Sequence, residues 1–353
     1  MSILYTLISL WLMSFFVSTS VAADERLRAD DHAPIGVMAD HYHEVGEFMF
    51  SYRYMSMSMR DNLIGNDSVS PSTIATTTQN RFFGQPMQPP TLRVVPTEMT
   101  MKMHMLGLMY APTSSLTLMA MLNQTSKNMD HVTFQGMKGE QQLGTFTTST
   151  SGLGDTSLSA LVRISETETS RLHATLGVSL PTGDTDATGT VLAPTSMRPT
   201  LRLPYPMQLG SGTNDLIGGL TYSRFHERWS WGSQWRSIVR TGNNDEGYTL
   251  GDEHRLTTWY SYLLSAGVSW SARLEYFERG NIDGIDPLIK APVQTADPSH
   301  QGATRLDAAL GINFANEGGH RLALEFVVPL EQDLEGPQLG TSSQLILGYQ
   351  YVF

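Results

Sequence analysis

The chain has 353 residues, of which 16% are charged and 40% hydrophobic, with a formal net charge of -11 and no cysteine. At roughly 150 residues per domain that length fits two ordinary domains or one large β-barrel. The missing cysteines exclude disulfides, thiolate metal sites and thiol catalysis, and the acidic balance argues against nucleic acid, since phosphate binding needs a basic face.

Residues 3–17, ILYTLISLWLMSFFV, form a short apolar run, and Val21-Ala22-Ala23 supplies the small residues of a signal-peptidase site. Export with cleavage before Asp24 is expected, although no Lys or Arg precedes the run. Beyond it no stretch of 18 apolar residues occurs, so a membrane-spanning helix has nothing to be made from. The expected organisation is a signal peptide over 1–23, a periplasmic segment or plug over 24–45, and a barrel over 46–353.

From residue 46 the chain breaks into segments of about ten residues that alternate apolar and polar, the period of strands with two unlike faces. Twelve are expected, near 46–59, 99–110, 116–127, 154–164, 171–180, 214–225, 229–240, 257–268, 271–280, 303–314, 320–330 and 342–353. Short connections (111–115, 165–170, 226–228, 269–270, 315–319) alternate strictly with long ones (60–98, 128–153, 181–213, 241–256, 281–302, 331–341). The predicted fold is therefore all-β: a single up-and-down antiparallel transmembrane barrel with short periplasmic turns and long extracellular loops, in contact with outer-membrane lipid.

The faces agree with that setting. Leu172, Ala174, Leu176, Val178 and Leu180 form one apolar row, and Leu322, Leu324, Phe326 and Val328 another, while His173, Thr175, Arg321 and Glu325 stand opposite. Trp229, Trp231 and Trp235 share a face, as an interfacial girdle requires.

The final strand, with alternating apolar residues ending on Phe353, resembles the C-terminal signal through which Gram-negative outer-membrane barrels engage their assembly machinery. Further, His32-Ala33-Pro34-Ile35-Gly36-Val37-Met38, Phe48 to Met55, Gly152-Leu153-Gly154-Asp155, Ser179-Leu180-Pro181-Thr182-Gly183-Asp184 and Gly336-Pro337-Gln338-Leu339 resemble the barrels of the MetA-pathway of phenol degradation family. The resemblance implies an outer-membrane barrel that passes small, often aromatic or hydrophobic compounds, and carries over no substrate-binding residue.

Strand phase points Arg53, Arg163, His173, Arg236, Arg240, Arg273, Glu275, Arg305, Asp307, Arg321 and Glu325 into the lumen. Inward arginines either select carboxylated solutes or close a salt-bridge lattice of Arg273/Glu275, Arg305/Asp307 and Arg321/Glu325. Methionine raises a second choice. Met55, Met57 and Met59 point inward in the first strand, whereas in the second Thr100, Lys102 and His104 are assigned the lumen and Met99, Met101, Met103 and Met105 the lipid. Thioethers with His104 could hold copper, or the methionines could be adaptable apolar packing. His41 and His43 form an H-x-H pair able to share a metal.

Asp residues beside Gly in 180–186 and 281–286 allow calcium but suit sharp turns equally. No G-x-S-x-G or H-E-x-x-H occurs, and His173 is the best lone base, so no enzyme and no cofactor is expected. The reading is a channel or transporter for small solutes, with a soft-metal barrel as the alternative.

Overall fold

The computed structural model describes residues 28–353; the expected signal peptide and its cleavage site lie outside the described residues. Barrel strands β1 to β4 are Phe48–Gly65, Val94–Thr113, Leu116–Phe134, and Gln142–Leu153 continued as Thr156–Thr167. Strands β5 to β10 are Ser170–Leu180, Asp215–Phe225, Trp229–Val239, Glu253–Ser265, Val268–Arg279 and Ala303–Ala315. The last run, His320–Val352, is a hairpin: residues 321–334 pair with β10 and most of 334–352 with β1, so it supplies both β11 and β12. Its bend falls near Gly336, at φ 76°.

Every neighbour is antiparallel, and β12 meets β1 with Phe50 opposite Tyr351 and Tyr52 opposite Tyr349. The twelve crossings thus close on themselves and leave no free sheet edge where the closure is complete, the condition for a sheet in lipid. Leu108, Leu176, Leu220, Leu310 and Phe326 are exposed on the outer face, while their chain neighbours point into the lumen. A belt of aromatic rings marks one rim. Phe48 stacks on Tyr110 with centroids 4.3 Å apart, and Trp229, Tyr260 and Trp270 follow one another at 5.8 Å spacing. Tyr and Trp hold an apolar body and a polar tip, which suits the lipid–water boundary.

The first strands run further than periodicity indicates. β1 continues to Gly65, β2 begins at Val94, β3 reaches Phe134 and β4 begins at Gln142, so the expected loops 60–98 and 128–153 shrink to 66–93 and 135–141. Likewise 331–341 is mostly strand rather than loop. Above the lipid both faces of a strand are solvated or covered by loops, so its residues no longer alternate apolar and polar, although ladder hydrogen bonding continues.

Two features shape the interior. At Gly154-Asp155 β4 breaks: its upper part pairs with β3 alone, and its lower part pairs with both β3 and β5. Asp155 turns its carboxylate to the long loop 181–214, accepting from Gly183 N at 3.1 Å and Ser211 N at 2.8 Å. There Gly183 and Gly210 approach so closely that a Cβ on Gly210 would sit 2.3 Å from the Gly183 carbonyl oxygen. Two of the motifs noted in the sequence therefore serve one junction.

The second feature is the N-terminal segment, which runs inside the lower half of the barrel. Ala29 N donates to Ala266 O at 2.9 Å, Ser230 donates to Asp30 O at 3.1 Å, Arg321 to Ala33 O at 2.7 Å and Gln234 to Met38 O at 2.8 Å. His43 N donates to Thr117 Oγ1 at 3.0 Å. Inward polar side chains of the wall thus satisfy the segment's backbone, which has no ladder of its own. Gly348 gives room for Ile35, since a Cβ there would lie 2.4 Å from the Ile35 side chain.

At the opposite end the loops form a cover. Helix α1, Pro71–Thr77, is capped by Ser70, whose hydroxyl accepts from Thr73 N at 3.1 Å. Phe82, Val94, Tyr205, Tyr248, Ile289 and Val293 pack together there as an apolar cluster.

Candidate functional site

Between the N-terminal segment below and the loops above lies a lumen cavity of about 650 Å³. Its two sides differ in chemistry. Strands β1 to β3 present methionine: Met55 faces Met103, Met57 faces Met101, and Met59 faces Met99, which in turn faces Met129. Directly paired residues share a face of the sheet, so once Met55, Met57 and Met59 point inward their partners must do so too. This corrects the expected phase of β2. Its odd-numbered residues line the lumen, and Lys102, His104, Leu106 and Leu108 look out. His104 accordingly lies outside the barrel, against Tyr52 at 2.7 Å, and joins no site with Met55, Met57 or Met59.

Strands β7 to β10 present charge. Arg255 Nη1 donates to Glu275 at 2.9 Å, Arg273 Nη1 to the same carboxylate at 2.9 Å, and Thr257 completes it at 3.0 Å. Arg273 also binds Glu325 across β10, where Ala309 and Gly311 are small enough to let the two side chains meet. Arg305 holds Asp307 at 2.8 Å, and Arg240 holds Asp215. The anticipated Arg321/Glu325 pair does not form: four residues along one strand are separated by about 13 Å. Arg321 instead donates to Gln350, Asn313 and Ala33 O.

The remaining expected lumen residues separate by height. Arg53 lies at the floor of the cavity, donating to Val37 O at 3.3 Å. His173 Nε2 lies 2.9 Å from Ala39 O and anchors the segment. Arg163 sits lower still, 3.0 Å from Glu44 and over the Tyr42 ring at 4.2 Å, so it closes the mouth instead of lining the cavity. Arg236 differs from all of these. It lines the cavity and has no hydrogen bond or ion pair among the described residues.

Sequence reasoning missed Glu253, Arg255 and Arg279, which also line the cavity. The first two fell in an expected loop. Arg279 continues the period-two row of Arg273, Glu275 and Phe277, and that row was the available signal. Counting these, eight Lys or Arg and three Asp or Glu line the cavity among the described residues, together with ten methionines. Asp215, Asp307 and Glu325 stand behind Arg240, Arg305 and Arg273 and offset three of those cations, so the positive excess is small and centres on Arg236, where low-dielectric walls focus its field on an anion.

In the segment below, His32, Asp40, His41 and His43 come together. Burial pushes the His43 imidazole down to about 3, and burial with the neighbouring His41 lowers His32. Burial opposes ionisation of Asp40, but His41, His32 and Arg321 hold its carboxyl well below the ordinary range.

A solved structure shares the fold. An outer membrane channel from Pseudomonas putida F1 aligns over 89% of this chain and 98% of its own, at 17% identity and TM-score 0.58. The Pseudomonas putida toluene transporter TodX is a looser likeness, 11% identical with TM-score 0.40 over 87% of this chain and 89% of its own. No curated protein matches the chain. Residues 116–323, more than half of the sequence and most of the barrel wall, match the family described as "Putative MetA-pathway of phenol degradation", and the chain belongs to that family of outer-membrane barrels.

Proposed function

We propose that this outer-membrane transport barrel passes small solutes that combine an apolar or aromatic body with an anionic group. One observation carries the reading: the cavity has a methionine wall and an arginine wall, and on the latter Arg236 has no hydrogen-bond or ion-pair partner among the described residues. Thioether side chains are flexible and polarisable, so they accept apolar bodies of varied shape and contact aromatic edges well. Guanidinium pairs a carboxylate through two parallel hydrogen bonds. The salt-bridged arginines already have carboxylates and serve as wall, and Arg53 and Arg279 donate to neutral oxygens of Val37, Gln301 and Gln338, which leaves Arg236 as the contact for an incoming anion.

Single-channel conductance with benzoate as the probe tests this. Benzoate should interrupt the current through the native protein at lower concentration than neutral toluene does. Arg236→Gln should weaken that block about tenfold or more, as expected for losing one charge-assisted hydrogen bond in a sheltered site. Equal block of the two proteins would sink the assignment of Arg236, and absence of any solute-dependent current would sink the transport reading.

A further inference from the structure

We propose that the N-terminal segment holds a transition-metal site in which His32, Asp40 and His41 bind one divalent ion through two imidazoles and a carboxylate, with His43 beside them. Spacing in the sequence pairs His41 with His43 alone. The fold adds the others because the segment turns at Pro34, whose carbonyl accepts from Val37 N at 2.9 Å, and brings His32 back to Asp40.

The geometry is that of a donor set. One ligand atom from each of His32, Asp40 and His41 lies within 4.8 Å of the others. His41 Nδ1 is 3.0 Å from Asp40 Oδ1, and His32 Nδ1 is 4.0 Å from Asp40 Oδ2. The His32 and His41 rings are 3.8 Å apart between centroids, and those of His41 and His43 4.9 Å.

The second observation is the set of unpartnered atoms. His32 Nδ1, His41 Nε2 and His43 Nε2 are buried without a hydrogen-bond partner, His41 Nδ1 meets only the Asp40 carboxylate, and His41 and His43 are only 7% and 5% exposed. Nearby, His173, Gln234 and Arg321 each bond to the segment's carbonyls, although Tyr42 Oη, Arg321 Nε and Gln350 Nε2 are also without a partner. Buried polar atoms ordinarily find partners, so three orphans, one on each of three adjacent rings, point to a ligand. A metal ion satisfies neutral imidazole nitrogens and a carboxylate together. Asp40 is also oriented from behind, its Oδ2 accepting from Ala33 N at 2.8 Å, as ligating carboxylates commonly are.

Mixed nitrogen and oxygen donors suit zinc, nickel or copper(II) and argue against calcium or magnesium, which take oxygen. The ion would tie together the two ends of the loop 33–39, whose middle forms the cavity floor. Met49, Met109, Met119 and Met121 line a small chamber on the far side of Asp40 and His41, and offer a softer ion a different place.

The test uses untagged, folded full-length protein stripped with chelator and then titrated with zinc and with cobalt(II). One equivalent of zinc should bind, and cobalt(II) should show visible d–d bands of imidazole and carboxylate coordination. His41→Ala and Asp40→Asn should each weaken zinc binding roughly 100-fold, while His104→Ala, on the outer face, should leave it unchanged. Heat-modifiable gel migration reports folding, and His32→Gln provides a milder variant should His41→Ala fail to fold. Absence of stoichiometric zinc or cobalt binding overturns the site. So does binding that survives both substitutions, or retention of copper(I) alone in a manner that depends on Met119 and Met121. None of these readouts uses conductance, so they stand or fall apart from the transport reading.

Discussion

The lumen wall contains residues that are coupled and residues that are free, and substitutions should separate them. Arg273 touches both Glu275 and Glu325, and Glu325 is 1% exposed. Removing the cation alone, as in Arg273→Met, strands a buried carboxylate and should cost about 3 to 5 kcal/mol. The double variant Arg273→Met/Glu325→Met should recover much of that loss, because an apolar pair needs no compensation. Urea unfolding of the barrel in lipid vesicles measures both; equal stability of the single and double variants would show that the pair is not coupled. Arg236, with no carboxylate to strand, should be replaceable at little cost to stability, so its effect on benzoate block reports function.

At the scale of elements, the N-terminal segment occupies the lower lumen, and we propose that its position governs conduction. It adds no strand, and its backbone is held by side chains of β3, β5, β7, β9 and β11. Gly36 faces Arg273 and Glu325 so closely that a Cβ would lie 2.5 Å from Glu325 Oε1. Gly36→Val should therefore push the segment off the wall and raise unitary conductance severalfold, and deletion of residues 28–43 should do the same without unfolding the barrel. Unchanged current in both would mean that the constriction is formed by the extracellular loops. Expectation and structure differ most in the first three strands. Their methionines are neither plainly apolar nor polar, so period-two alternation leaves two phases open, and the cross-strand pairing of Met55 with Met103 closes the choice.

Over the whole molecule, closure joins the first and last strands. Phe48 N donates to Phe353 O at 3.0 Å and Phe353 N to Phe48 O at 2.9 Å, and the Phe48 ring stacks on both Tyr110 and Phe353. Removing Phe353 deletes the last rung of that seam and part of the aromatic rim. We propose that the same residue is read by the assembly machinery; on that basis the deletion should lower the folded fraction in outer membranes severalfold while affecting refolding into detergent little. A similar loss in detergent would assign Phe353 to stability alone.

The amino-acid sequence by itself determined the class of fold, because alternation along a strand is local and the alternation of short and long connections survives errors of a few residues at each boundary. It also placed Arg53, Arg236, Arg240, Arg273, Glu275 and Arg305 on inward faces, since one turn of the pleat relates each to its neighbours. Partnership was decided by the tertiary structure. Which carboxylate Arg273 meets depends on small residues in β10, and whether Arg236 is free depends on every strand that surrounds it. His32 reaches His41 through a turn inside the barrel, and the floor of the cavity is set by packing of a segment with no periodic pattern. Those contacts join residues far apart in the chain, and no local rule of propensity or spacing encodes them.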